Sequence, residues 1–192
     1  MLRDFHLADL FTIANGFCGV AALFAAMRFL ATGDRPYLYG AALLVPIALV
    51  FDVLDGRVAR RRHQTSALGR ELDSLADVIS FGVAPACLAY AVGMRAPGDA
   101  IVLLYFVACG ISRLARYNVT AADLSRETGK VTYFEGTPIP TSVAPLGLLM
   151  LAFHYRSLSP VHVLGLDLHL VSLLFLLSGS LMISKTLRIP KP

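Results

Sequence analysis

The chain has 192 residues, 56% of them hydrophobic and 16% charged, with a mean hydropathy of +0.67. That is the length of a single domain, residues 1–192, and too apolar for an ordinary soluble one. A formal charge of +4 would suit a nucleic-acid binder in a polar chain; in this one it fits the cytoplasmic bias of Lys and Arg in membrane proteins, and no nucleic-acid partner is expected.

The first apolar run, from about residue 7 to 30, is interrupted by Asp9, Thr12 and Asn15. It exceeds the apolar core of a cleaved signal peptide, so it reads as a retained first span. Gly33, Asp34, Arg35 and Pro36 make a short turn before a second run, about 37–54. A basic loop follows, with Arg57, Arg60, Arg61, Arg62 and His63. The third span starts after Gly69 and ends near Gly93; the fourth runs from about residue 100 into the basic stretch SRLARYN. Residues 119–133 read as the longest polar loop. A fifth span follows the proline-marked EGTPIPTS and ends near Tyr155; after a turn containing Pro160 and Asp167, the sixth covers about 169–183. Cys18, Cys87 and Cys109 lie in apolar runs without metal-ligand spacing and read as small packing residues.

The expected fold is therefore all-α, a polytopic membrane protein with six transmembrane helices. An even number of spans puts both termini on one side. Thirteen of the seventeen Lys and Arg fall in the N-terminus, the second and fourth loops and the tail. The positive-inside rule makes that side, and both termini, cytoplasmic.

Two acid pairs stand at the cytoplasmic ends of the second and third spans: Asp52 with Asp55, and Asp73 with Asp77. Spacings of three and four put both members of each pair on one helix face. A carboxylate at the centre of a membrane helix costs ~2.5–3.5 kcal/mol, and less toward the interface. Four such groups also repel one another, so a compensating divalent cation is expected. Oxygen ligands favour Mg²⁺ or Mn²⁺.

These residues fall in the order D-x-x-D-G-x-x-A-R, eight residues, G-x-x-x-D-x-x-x-D, filled by Asp52, Asp55, Gly56, Ala59, Arg60, Gly69, Asp73 and Asp77. The pattern resembles the signature of the CDP-alcohol phosphatidyltransferases. The resemblance implies two metal ions held by Asp52, Asp55 and Asp73, with Asp77 as general base and further metal contact. It implies a CDP-linked lipid, CDP-diacylglycerol, whose phosphatidyl group passes to an alcohol while CMP leaves. Gly56, Ala59, Arg60 and Gly69 would meet the nucleotide, with Asn15 either facing it or bonding a neighbouring helix. Arg61 and Arg62 would serve mainly as charge anchors.

Three further stretches, TIANGFCG, DSLADVISFGVAPA and SRLARYNV with FEGTPIPTS, resemble the phosphatidylserine synthase branch of that family. L-serine is then the expected acceptor, with glycerol 3-phosphate or an inositol phosphate as alternatives. Arg113 or Arg116 would hold a serine carboxylate, and Asn118 and Thr137 would add polar contacts. The family is typically homodimeric, which extends the expectation to a homodimer in the inner membrane with its active site facing the cytoplasm. An intramembrane prenyltransferase would need a longer bundle with different acid motifs. A divalent-cation transporter would place acids near mid-membrane on several helices, whereas spans four to six lack them there.

Overall fold

The computed structural model describes residues 7–62, 67–127, 133–163, 166–186 and 188–190. Most of them are helical, and the chain divides into two compact units, Met1–Ala91 and Val92–Pro192.

The first unit begins with α1, Leu7–Thr32, and α2, Arg35–Arg62. Gly33 takes a left-handed φ of 75° and donates its N–H to the Phe29 carbonyl at 2.8 Å, a helix stop that glycine adopts without a Cβ clash. The chain can therefore reverse within two residues, and α1 and α2 pack together. The third apolar segment comprises α3, Ala67–Asp77, a π-helical turn, Val78–Val83, and α4, Ala84–Ala91. It packs against α1.

The buried residues here are mostly small: Ala22 and Ala26 in α1, Ala41 and Ala48 in α2, Ala76 in α3, Ala84 and Ala89 in α4. Small side chains let membrane helices approach closely. One such close approach is at Gly19, where a Cβ would lie 2.6 Å from Ser80 Oγ. Leu10, Phe17 and Phe24 form an exposed stripe along α1 at a seven-residue spacing, an outward apolar face suited to lipid.

The second unit is built on α5, Pro97–Glu127, and α7, Ser172–Ile183. Gly179 lets α7 close on α5, its Cβ position 3.2 Å from Phe106 Cα. Phe106 and Phe175 meet edge to face at 5.3 Å. Between these helices lie β1, Tyr133–Glu135, a 3₁₀ turn at Ile139–Ser142, α6, Val143–His154, and the hairpin of β2, Pro160–Val163, with β3, Leu166–His169. Strand β4, Arg188–Pro190, pairs antiparallel with β1. Asp99, fully buried in the first turn of α5, accepts from the His169 backbone N–H at 2.8 Å and pairs with its Nδ1 at 2.7 Å. That pair ties the hairpin to α5.

Among the described residues, four helical segments are long and apolar enough to cross a membrane: Asp9–Thr32, Arg35–Val58, Leu68–Ala91 and Pro97–Val119. The fifth and sixth expected spans are shorter, Ile139–His154 and Ser172–Ile183. At about 1.5 Å per residue, the latter reaches ~18 Å, less than the ~30 Å hydrocarbon core.

Three expectations of local structure need correction. The fold is not purely helical, because the turn expected around Pro160 and Asp167 is a β-hairpin and β1 pairs with β4. The basic stretch from Arg57 to Arg62 is the end of α2 rather than a loop, and α5 continues through Glu127 into the expected polar loop. In both cases helix-forming residues without Gly–Pro punctuation carry the helix past its apolar segment.

Candidate active site

The end of α2 carries Asp52 and Asp55, three residues apart and so on one face. α3 carries Asp73 and Asp77 one turn apart, with Asp77 its last residue before the π turn. Helix α1 packs on both elements. One carboxylate oxygen each from Asp52, Asp55 and Asp73 lies within 4.8 Å of the others. Asp55 is 7% exposed, while Asp52 and Asp73 are half-buried.

Buried like charges this close are unfavourable unless a cation or protons neutralise them. Asp73 Oδ1 is buried and has no hydrogen-bond partner among the described residues, which leaves that oxygen for another ligand. An all-oxygen donor set of this kind fits a hard divalent cation.

Asp77 stands outside that trio. It is 6% exposed, and Asn15 Nδ2 donates to its Oδ1 at 3.0 Å. Asn15 is itself fully buried, and its Oδ1 has no partner among the described residues. Its backbone carbonyl accepts from Ser80 Oγ at 2.8 Å. Thr12, one turn earlier on α1, donates from Oγ1 to Asp55 Oδ2 at 2.7 Å.

The sequence assigns no role to Thr12 or Ser80. The available signal was the spacing of Asp9, Thr12 and Asn15. They share one face of an otherwise apolar helix, and all three are buried. Buried Thr12 and Asn15 need partners, and Asp55 and Asp77 on the neighbouring helices provide them.

Gly56 and Gly69 are half-buried on α2 and α3. Ala59, Arg60, Arg61 and Arg62 continue α2, but their side chains lie outside the described residues, as does His63. The expected acceptor residues belong to the second unit. Arg113 is 8% exposed and Asn118 half-buried on α5. Arg116 donates to the Ile183 carbonyl. Thr137, whose N–H bonds the Leu181 carbonyl at 3.2 Å, lines an apolar groove of about 240 Å³ with Leu148, Leu174 and Leu177.

The sequence matches the CDP-alcohol phosphatidyltransferase family over residues 5–181. It is 43% identical over 203 residues to a Saccharomyces cerevisiae protein named CDP-diacylglycerol–serine O-phosphatidyltransferase, covering 100% of this chain and 73% of that one. A Bacillus subtilis protein of the same name is 34% identical over 154 residues, covering 79% of this chain and 77% of its own. A Methanothermobacter thermautotrophicus protein named archaetidylserine synthase is 40% identical over 131 residues, covering 66% and 53%. With a match that runs through both acid pairs and over most of its length, the chain belongs to the CDP-alcohol phosphatidyltransferase family.

Proposed function

We propose that this protein transfers the phosphatidyl group of CDP-diacylglycerol to L-serine, forming phosphatidylserine and releasing CMP. The observation that carries the acceptor is the relatedness over the whole chain to a protein named for serine transfer. The catalytic half of the reading rests on the acid trio of Asp52, Asp55 and Asp73.

Asp52, Asp55 and Asp73 would hold Mg²⁺ or Mn²⁺, two ions in all with Asp77 as a further contact. Bound there, the metal supplies charge neutralisation for a pyrophosphate and its leaving group. Asp77 takes the proton of the serine hydroxyl as that oxygen attacks the phosphorus attached to the lipid. The bond from phosphorus to the CMP oxygen breaks, and CMP departs with that oxygen. Gly56, Ala59, Arg60 and Gly69 bind the nucleotide, and the Asn15 amide oxygen remains available to it. Arg113 binds the serine carboxylate, with Arg116, Asn118 and Thr137 as further acceptor contacts.

The same reading takes the chain as one phosphatidyltransferase domain, since the family match crosses from one unit to the other. It takes six crossings of a cell membrane, with the shorter α6 and α7 completing theirs through flanking residues. Both termini and the acid cluster face the cytoplasm, as the Lys and Arg distribution favours, and two copies form a homodimer.

The test is CMP release from CDP-diacylglycerol by the purified protein in detergent, with a panel of alcohols. Serine should be used in preference to glycerol 3-phosphate and inositol phosphate. A protein that makes phosphatidylglycerophosphate and ignores serine removes the acceptor assignment and leaves the chemistry.

A further inference from the structure

Helix α1 contributes none of the four acids, yet it touches one member of each pair. Its register against α3 and the π turn is set at Asn15, which donates to Asp77 from its side chain and accepts from Ser80 at its backbone carbonyl. Gly19, one turn further on, has room for no side chain against Ser80. With the register held there, Thr12 falls three residues back on the same face and reaches Asp55 of α2 at 2.7 Å. Both partners of that bond are buried, Thr12 at 4% and Asp55 at 7% exposure.

The bond engages Asp55 Oδ2 and so constrains the rotation of a short carboxylate that is one corner of the trio. We propose that Thr12 is a positioning residue for the metal site, orienting Asp55 through the Oγ1–Oδ2 hydrogen bond so that its carboxylate meets those of Asp52 and Asp73. The proposal rests on the metal role given above to the trio. In this role Thr12 is not itself a ligand. It acts through Asp55, as hydrogen-bond partners of metal ligands do elsewhere, where their loss typically costs about 10–100-fold in metal affinity.

A hydroxyl that merely joins two helices predicts something different. Its loss lowers stability and leaves metal affinity where it was. The two roles separate in a direct binding measurement that needs no turnover. The full chain in detergent is titrated with Mn²⁺, and free Mn²⁺ is read from its electron paramagnetic resonance signal. Thr12→Val keeps the shape and removes the donor; Thr12→Ala serves if valine lowers the yield of monodisperse protein. Either should weaken Mn²⁺ binding by about tenfold or more. Thr12→Ser keeps the hydroxyl and should bind within about twofold of the wild type. Wild-type affinity in Thr12→Val or Thr12→Ala overturns the positioning role while the metal reading stands. A Thr12→Ser protein as weak as Thr12→Val shows that a hydroxyl at this position does not by itself sustain the affinity, and also overturns it. A wild-type chain that binds no Mn²⁺ overturns this proposal and the metal reading together.

Discussion

Arg116 donates from Nη1 and Nη2 to the carbonyl oxygen of Ile183, at 3.4 and 3.5 Å. Ile183 ends α7, so a guanidinium on α5 satisfies a carbonyl that its own helix leaves open. Both distances are at the long end for a hydrogen bond, and the side chain is half-buried. Arg116→Ala should therefore cost only about 1 kcal/mol, below the range for hydrogen bonds to charged groups. Arg113 is more deeply buried on the same helix. Arg113→Ala should raise the KM for serine while leaving the KM for CDP-diacylglycerol unchanged, and Arg113→Lys should recover part of the loss because an ammonium lacks the planar fork. Melting temperature and the two KM values, measured on both variants, separate the roles.

Asp52→Asn and Asp73→Asn should each abolish turnover. A neutral amide is a weak substitute for a charged ligand, and it leaves the other two carboxylates without their third partner. Chelation of the wild-type protein should have the same effect. CMP release that persists undiminished in excess EDTA contradicts the metal assignment.

Asp77 is not one of the three acids that meet within 4.8 Å, and it is held by Asn15. Asp77→Asn should lower kcat by about 10²–10⁴-fold, the usual contribution of a general base. Binding of CDP-diacylglycerol should be largely retained. A near-normal rate at saturating metal would remove Asp77 from the base role, whereas recovery with added metal would make it a ligand.

Gly19→Ala should loosen the contact of α1 with the π turn. The new Cβ would meet Ser80 Oγ at 2.6 Å and Ser80 Cα at 2.8 Å, and the backbone atom has little freedom to move. Overpacking of this kind costs about 1–3 kcal/mol. Gly40→Ala is the control, because nothing lies within 4 Å of its Cβ position. It should be neutral or stabilising by up to about 1 kcal/mol, since alanine is the better helix former. Thermal unfolding in detergent should order the three proteins Gly19→Ala, wild type, Gly40→Ala.

Asp99→Ala should destabilise the second unit by roughly 1–3 kcal/mol, because it leaves a part-buried N–H and ring nitrogen of His169 without their acceptor. The lost bonds join β3 to α5 rather than reaching the acid trio. Proteolysis should therefore cut the β2–β3 hairpin earlier in this variant. An unchanged cleavage pattern would show that the hairpin is held by other contacts.

Much of the acid centre was legible in one dimension. The spacing of Asp52, Asp55, Asp73 and Asp77 is a property of helical periodicity, and helices long enough to cross a membrane are set by local apolar composition. The four long spans followed from that composition. The ends of α2 and α5 did not, because helix propensity carries on after hydrophobicity has stopped. The β1–β4 and β2–β3 ladders were also hidden, since three- and four-residue strands contain too few residues to display an alternating pattern.

What only the tertiary structure decided is which polar groups of α1 meet which acids. Thr12 and Asp55 are 43 residues apart, and Asn15 and Asp77 are 62 apart. Sequence periodicity places Thr12 and Asn15 on one helix face but does not specify that face's partner. That depends on the crossing of α1 with two other helices, set by a glycine too close to Ser80 to carry a side chain and by a π turn that changes the register after Asp77. The acids are specified locally; their alignment comes from packing between segments distant in the chain.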